Sequence, residues 1–309
     1  MEGLPFHLPS TFKSWCCDAD SQDGYTPAEH ESRSLGIFSE EVITSPFYLA
    51  QPYEGECQER KEVELGDGAR YRGQWMRWER HGKGVLIRPG GGRYDGEFQF
   101  SQAHGYGVYT DENGIKYEGE WDQNQKHGRG SYTAPGVGTY EGQWQRDEMS
   151  GEGRESSANG AQYAGEFLRG KKHGFGIYEM GGEVQYSGQF KDDKMDGEGY
   201  YKFSSNHVYK GQWQRGSMSG QGGMEMPDGS VHQGTYEMGL KNGEGSLFWP
   251  DGRVYSGQWL NGKQDGNGVF VDATGVQTHG RFKQGELITP REPHGSCSGD
   301  PGVLSAKAG

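Results

Sequence analysis

Long apolar runs are missing from this 309-residue chain. No stretch approaches the roughly 18 apolar residues of a membrane-spanning helix, so no transmembrane segment is expected. Aliphatic residues are scarce too: hydrophobic types make up only 31%, too few for a thick Leu/Ile/Val core. Positive charge is in deficit, with 31 Lys and Arg against 44 Asp and Glu and a formal charge of −13. That excludes the broad basic face that nucleic-acid binding requires and argues against simple electrostatic attachment to anionic lipid. There are four cysteines, Cys16, Cys17, Cys57 and Cys297, and no CxxC pair, so neither a zinc site nor a redox motif is indicated. A reducing compartment is expected. Met1 to Leu8 lack a basic stretch followed by an apolar one, so no signal peptide is expected. Gly3 is not adjacent to Met1, which removes the myristoylation pattern.

What the chain has instead is glycine, 56 residues of it, and aromatic side chains at 13%, including 18 Tyr and 8 Trp. The glycine share is far above the usual level of about 7%, and it is periodic. Counting Tyr71 as position 1, copies of a 23-residue unit begin at Tyr71, Tyr94, Tyr117, Tyr140, Tyr163, Tyr186, Tyr209, His232 and Tyr255 without insertion. Position 3 is glycine in all nine copies (Gly73 to Gly257), as are position 12 (Gly82 to Gly266) and position 14 (Gly84 to Gly268). Position 5 is always aromatic: Trp75, Phe98, Trp121, Trp144, Phe167, Phe190, Trp213, Tyr236 and Trp259.

Positions 1, 3 and 5 share one face of a strand, and positions 2 and 4 point the other way and are mostly polar. This is the pattern of a half-buried strand. Positions 6 to 13 carry turn chemistry, with Gly, Asn or Asp at several copies of position 8 and His, Ser, Asp or Asn at position 11. A second strand is expected near position 14, with apolar residues at position 16 such as Leu86, Tyr109, Tyr132 and Phe270. Each copy then reads strand, turn, strand, turn. One hairpin is barely stable alone, and a series sharing edges is the stable form.

Tyr117-Glu118-Gly119-Glu120-Trp121 followed by Lys126-His127-Gly128-Arg129-Gly130 resembles MORN repeats. So does Tyr255-Ser256-Gly257-Gln258-Trp259 with Gly262-Lys263 and Gly266-Asn267-Gly268. The resemblance implies an all-β fold: an elongated, twisted antiparallel single-sheet array of tandem β-hairpins with flexible ends. It implies scaffold roles in cytoskeletal or ciliary assemblies such as radial spokes, and roles at membrane contacts as in junctophilins. Some members precede a lipid kinase or a SET-type methyltransferase domain. Nothing after residue 290 is long enough for either, so those activities are not carried over. Three copies depart from the pattern: Glu155 stands at position 16 of the fourth, Gly222-Gly223 opens the second strand of the seventh, and His232 replaces Tyr in the eighth.

The expected organisation is a non-repeat segment over 1–47, a degenerate hairpin or cap over 48–70, nine repeats over 71–277, a partial repeat over 278–288 and a tail over 289–309. The first segment reads as disordered or loosely packed; its Trp15-Cys16-Cys17 is compatible with S-acylation, which no nearby basic patch supports, and equally with a short peptide that docks on the array. His81, His104, His127 and His173 at position 11 read as turn residues, not metal ligands, because no Cys or carboxylate completes a shell. Pairs such as Gly105-Tyr106-Gly107 lack the context of a phosphate loop. No nucleophile–base pair or carboxylate dyad recurs, so neither catalysis nor a cofactor is expected.

The reading is a non-catalytic scaffold or adaptor in the cytoplasm, associated with cytoskeleton or cilium or peripheral at a membrane. Part of the aromatic row is expected to stay exposed as a protein-binding stripe centred on Tyr117, Trp121, Tyr140, Trp144 and Tyr163. The basic tips Lys126, Arg129, Arg169, Lys171 and Lys172 point to the alternative, an anionic phosphoinositide headgroup. A further alternative is the non-catalytic subunit of an enzyme complex. An exposed terminal hairpin edge suggests an end-to-end homodimer.

Overall fold

The computed structural model describes residues 56–290. Over that span the protein is all-β, with 21 antiparallel strands of an open sheet and no helix among the described residues. Among the described residues no helix is long and apolar enough to cross a membrane. The segment 1–47, with Trp15-Cys16-Cys17, lies outside the described residues, as do 48–55 and 291–309.

Two compact units meet in sequence at Lys171 and Lys172. In the first, ten strands run from Gln58–Glu64 to Ala161–Leu168, and each hydrogen-bonds to the next in sequence. In the second, eleven strands run from Lys171–Met180 to Glu286–Pro290 in the same serial order. The final strand includes Thr289 and Pro290, two residues that the sequence reading assigned to the tail.

The register follows from glycine. Within a repeat, position 3 faces position 14 (Gly73 opposite Gly84), and position 14 faces position 3 of the following repeat (Gly84 opposite Gly96). The first unit thus carries a stripe of glycines that continues strand by strand to Gly153 opposite Gly165.

The turn is tighter than the sequence suggested. The second strand of each repeat starts at position 9, as in Glu79–Ile87 and Lys263–Val271, not near position 14. Only positions 7 and 8 form the hairpin tip. Both are left-handed at Gln123/Asn124, Arg146/Asp147, Asp192/Asp193 and Asn261/Gly262, as a two-residue type I′ turn requires. Positions 11 to 13 form a bulge inside the strand: Gly73 faces Gly84 and Trp75 faces Arg80, leaving Gln74 opposite His81, Gly82 and Lys83. The polar residue and glycine at 11 and 12 looked like a turn because a bulge uses the same left-handed backbone; Gly82 has φ 67° and Gly128 φ 57°.

Candidate functional site

On the repeat-facing side, each position-1 tyrosine lies over the glycine stripe. A Cβ on Gly130 would come within 2.4 Å of the Tyr117 hydroxyl oxygen, and one on Gly119 within 2.4 Å of the Gly130 Cα. The invariant glycines leave the space that the ring fills. The hydroxyl then donates to the position-4 carbonyl, as in Tyr117 to Glu120 and Tyr140 to Gln143, both at 2.9 Å. Burial pushes these phenols up; Tyr71, Tyr209 and Tyr255 reach about 12.

Each tyrosine also meets two position-5 rings edge-on, its own and that of the next repeat. Tyr117 touches Trp121 and Trp144 at 5.0 and 5.3 Å, and Tyr140 touches Trp144 and Phe167 at 5.1 Å each. Such edge-to-face pairs are worth about 0.5–1.5 kcal/mol each beyond area burial. The Trp121 and Trp144 indoles donate to Gly107 and Gly130 carbonyls of the preceding repeat at 3.1 and 3.2 Å.

This corrects the expectation of an exposed aromatic stripe. Tyr117, Trp121, Tyr140, Trp144 and Tyr163 all lie on this ladder, and none is more than 7% exposed. The rings cover one another, so the face is consumed by folding.

The five cations separate as well. Lys126 is buried at position 10, its ammonium 5.8 and 5.2 Å from the Tyr117 and Trp144 ring centres and 3.6 Å from the Asp147 carboxylate. Lys172 is buried at the same position of its repeat. Neither stands at a tip facing solvent. Arg129, Arg169 and Lys171 are exposed. Position 10 is in effect another interior row, filled elsewhere by Ala103, Met149, Met195 and Met218. Sequence reading missed it because lysine stems serve there as apolar packing.

Two polar devices that the sequence reading also missed hold the array. The position-4 side chain reaches across the bulge and accepts the position-13 amide: Gln74 from Lys83, Glu120 from Arg129, Gln212 from Gln221 and Gln258 from Asn267, at 2.8–3.0 Å. This accounts for Gln or Glu at position 4 in eight copies. At the tip, the position-8 amide donates to the position-10 carbonyl of the preceding repeat: Asn124 to Ala103, Asp147 to Lys126, Gly216 to Met195 and Gly262 to Lys241. Where position 8 is Ser, Asn or Asp, its side chain also accepts the position-10 amide, as Asn124 does from Ala103 and Asp193 from Lys172. Those are the seams where the preceding position 11 is His (81, 104, 127 and 173); where position 8 is glycine, the preceding position 11 is Ser, Asp or Asn. This alternation was visible in the sequence. His104 lies 3.4 Å from Asp122, and no metal-holding group of His, Cys, Asp and Glu occurs among the described residues.

The opposite face, formed by positions 2, 4, 13 and 15, is open. In the first unit a groove is lined by Lys83, Arg93, Asp95, Glu97, Tyr106 and Val108; within it Arg93 pairs with Asp95 at 2.7 Å, and outside it Lys116 pairs with Glu118 at 2.6 Å. The Tyr106 hydroxyl donates to Glu118 at 3.0 Å. In the second unit Phe175 and Ile177 share this face and stay 55% and 36% exposed. Ile177 faces Ser187, which faces Tyr200, itself 39% exposed. The small serine leaves an apolar patch spanning three strands. At the tips, Trp78 and Met238 are 82% and 83% exposed.

The solved structures with a similar course of chain include the TCP10 domain of zebrafish (Danio rerio) CPAP in complex with a STIL peptide. It is 15% identical, with 77% of this chain and 100% of that one covered at a TM-score of 0.40. They also include the Drosophila melanogaster SAS-4 TCP domain in complex with a proline-rich motif of Ana2, 13% identical over 74% and 99% of the two chains at a TM-score of 0.26. No curated protein matches the chain. The family model for the MORN repeat matches nine times in succession, from residues 71–93 to 255–277. With its nine glycine-spaced hairpins covering about two thirds of its length, this chain belongs to the MORN repeat family.

Proposed function

We propose that this MORN-repeat protein is a non-catalytic scaffold that holds a protein partner on the open sheet face and the hairpin tips. The observation that carries this is the Phe175–Ile177–Tyr200 patch. The ladder accounts for every invariant aromatic, yet these three apolar side chains sit at positions 13 and 15, where no repeat rule demands them and where solvent reaches them. Exposed rings on a rigid face supply contact area at low entropic cost, as anchors of protein interfaces do. A cytoskeletal or ciliary assembly is the proposed setting, by family usage.

The test is affinity capture of the tagged protein from its own cells, comparing wild type with Phe175→Ser/Tyr200→Ser. A partner lost with the double variant, at unchanged circular dichroism, supports the reading. A partner set indifferent to that variant and to Trp78→Ser overturns it. Anionic lipid is the weaker reading, because Lys126 and Lys172 are turned inward; liposome flotation sensitive to Arg169→Glu/Lys171→Glu would restore it.

A further inference from the structure

In the eighth repeat three rare choices coincide. It has the array's only His at position 1 (His232), its only Thr at position 4 (Thr235) and its only Tyr at position 5 (Tyr236). The structure shows why the ring residues changed together. His232 is fully buried, 0% exposed, on the spot a tyrosine occupies in the other copies. Its Nδ1 lies 2.7 Å from the Tyr236 hydroxyl. The hydroxyl has moved from position 1 to position 5, and the imidazole serves as its partner. The Nε2 atom is buried without a hydrogen-bond partner and packs against Gly245, where a Cβ would come within 2.7 Å of it. Thr235 is too short to take the place of the glutamine across the bulge; its side chain is engaged instead by Gln221, at 3.1 Å.

The surroundings offer a second positive charge nothing. Tyr236 lies on the same strand. The strand Leu240–Phe248 presents Leu247 and the Lys241 ammonium, which sits 5.0 Å from the centre of the Trp259 ring. The strand Ser217–Glu225 presents Met224, and Trp259 from the strand Val254–Leu260 closes edge-on at 4.8 Å. The one charged group in this set is Lys241, a cation.

We propose that the eighth repeat is an acid-sensitive joint of the array, opened when His232 takes up a proton. The neutral ring satisfies Tyr236 with one nitrogen and leaves the other idle at moderate cost. The protonated ring has two N–H donors. One faces Tyr236, whose own proton then loses its acceptor, and the other faces Gly245, with Lys241 repelling the added charge. Burial, joined by Lys241, holds the folded imidazole down to about 3 against an ordinary 6.5. The contribution of His232 to stability is therefore intact above 6.5 and is lost as pH falls from 6.5 toward 3.

Hydrogen exchange of the full chain, corrected for intrinsic rates, tests this between pH 7.5 and 5. Amides of residues 231–248 should lose protection about tenfold per pH unit below 6.5, the slope for one proton, while those of the third repeat stay level. The double variant His232→Tyr/Tyr236→Phe restores the Tyr–Phe pair of Tyr94 and Phe98 and should remove the step. Should it fail to fold, His232→Gln, which takes no proton, should lose the step at lower overall protection. A wild-type profile without the step, or a step that survives in either variant, overturns the proposal.

Discussion

At Gly130 the absence of one carbon decides the packing of a whole ring. Gly130→Ala sets a methyl within 2.4 Å of the Tyr117 hydroxyl oxygen, and overpacking of this kind costs about 2 kcal/mol; a lowered urea midpoint at unchanged slope would show it. Trp144→Ala removes two edge-to-face partners and an indole hydrogen bond, with an expected loss of about 3–5 kcal/mol. Lys126 behaves differently. Asp147→Ala strips the carboxylate from beside a buried ammonium and should cost about 3 kcal/mol, whereas the double change Asp147→Asn/Lys126→Met removes both charges, keeps the stem and the acceptor of the Lys126 amide, and should be neutral or stabilising; two thermal melts separate these outcomes. The glycines and aromatics at positions 1, 3, 5, 12 and 14 were legible because their period is strict. The burial of Tyr117 and Trp144 was not. Alternation along a strand says which face a ring is on, but not whether its neighbours cover it, and here each ring is covered by the ring of the adjoining copy.

At the level of the hairpin, the bulge hid the strand. A glycine preceded by His, Ser, Asp or Asn reads as a turn, yet in this fold it kinks a strand that runs from position 9 to position 17. The side chain at position 4 makes the kink affordable by capping its amide. The eighth repeat offers a clean test, because Thr235 forgoes that cap. Thr235→Gln should bond the Glu244 amide and stabilise by about 1 kcal/mol, read as a shift in the denaturation midpoint. Gln258→Ala, in the ninth repeat, should cost a similar amount. The pairing of position 11 with the following position 8 was written in the sequence, but it becomes legible only once those two positions are known to face each other across a seam.

At the scale of the whole chain, the many tyrosines buried as neutral phenols set an alkaline limit. Tyr71, Tyr209 and Tyr255 are pushed up to about 12 from an ordinary 10. Because the unfolded chain releases these protons first, stability is unaffected below pH 10 and falls as pH rises from 10 to 12. The part of the tyrosinate absorbance contributed by these buried rings should therefore appear together with the loss of β-sheet circular dichroism, not ahead of it. The all-β class and the repeat boundaries were legible from end to end of the array. The surface proposed for binding was not, since the residues that recur are spent on the fold, and Phe175, Ile177 and Tyr200 recur nowhere. The seam bonds have one more consequence. The tip amide must meet the preceding position-10 carbonyl while the bulge amide meets its own position-4 side chain, so a residue added between positions 4 and 13 breaks one or the other. Whole steps of 23 preserve both bonds, and an ancestral gene could lengthen the array by duplication more readily than by small insertions in that stretch.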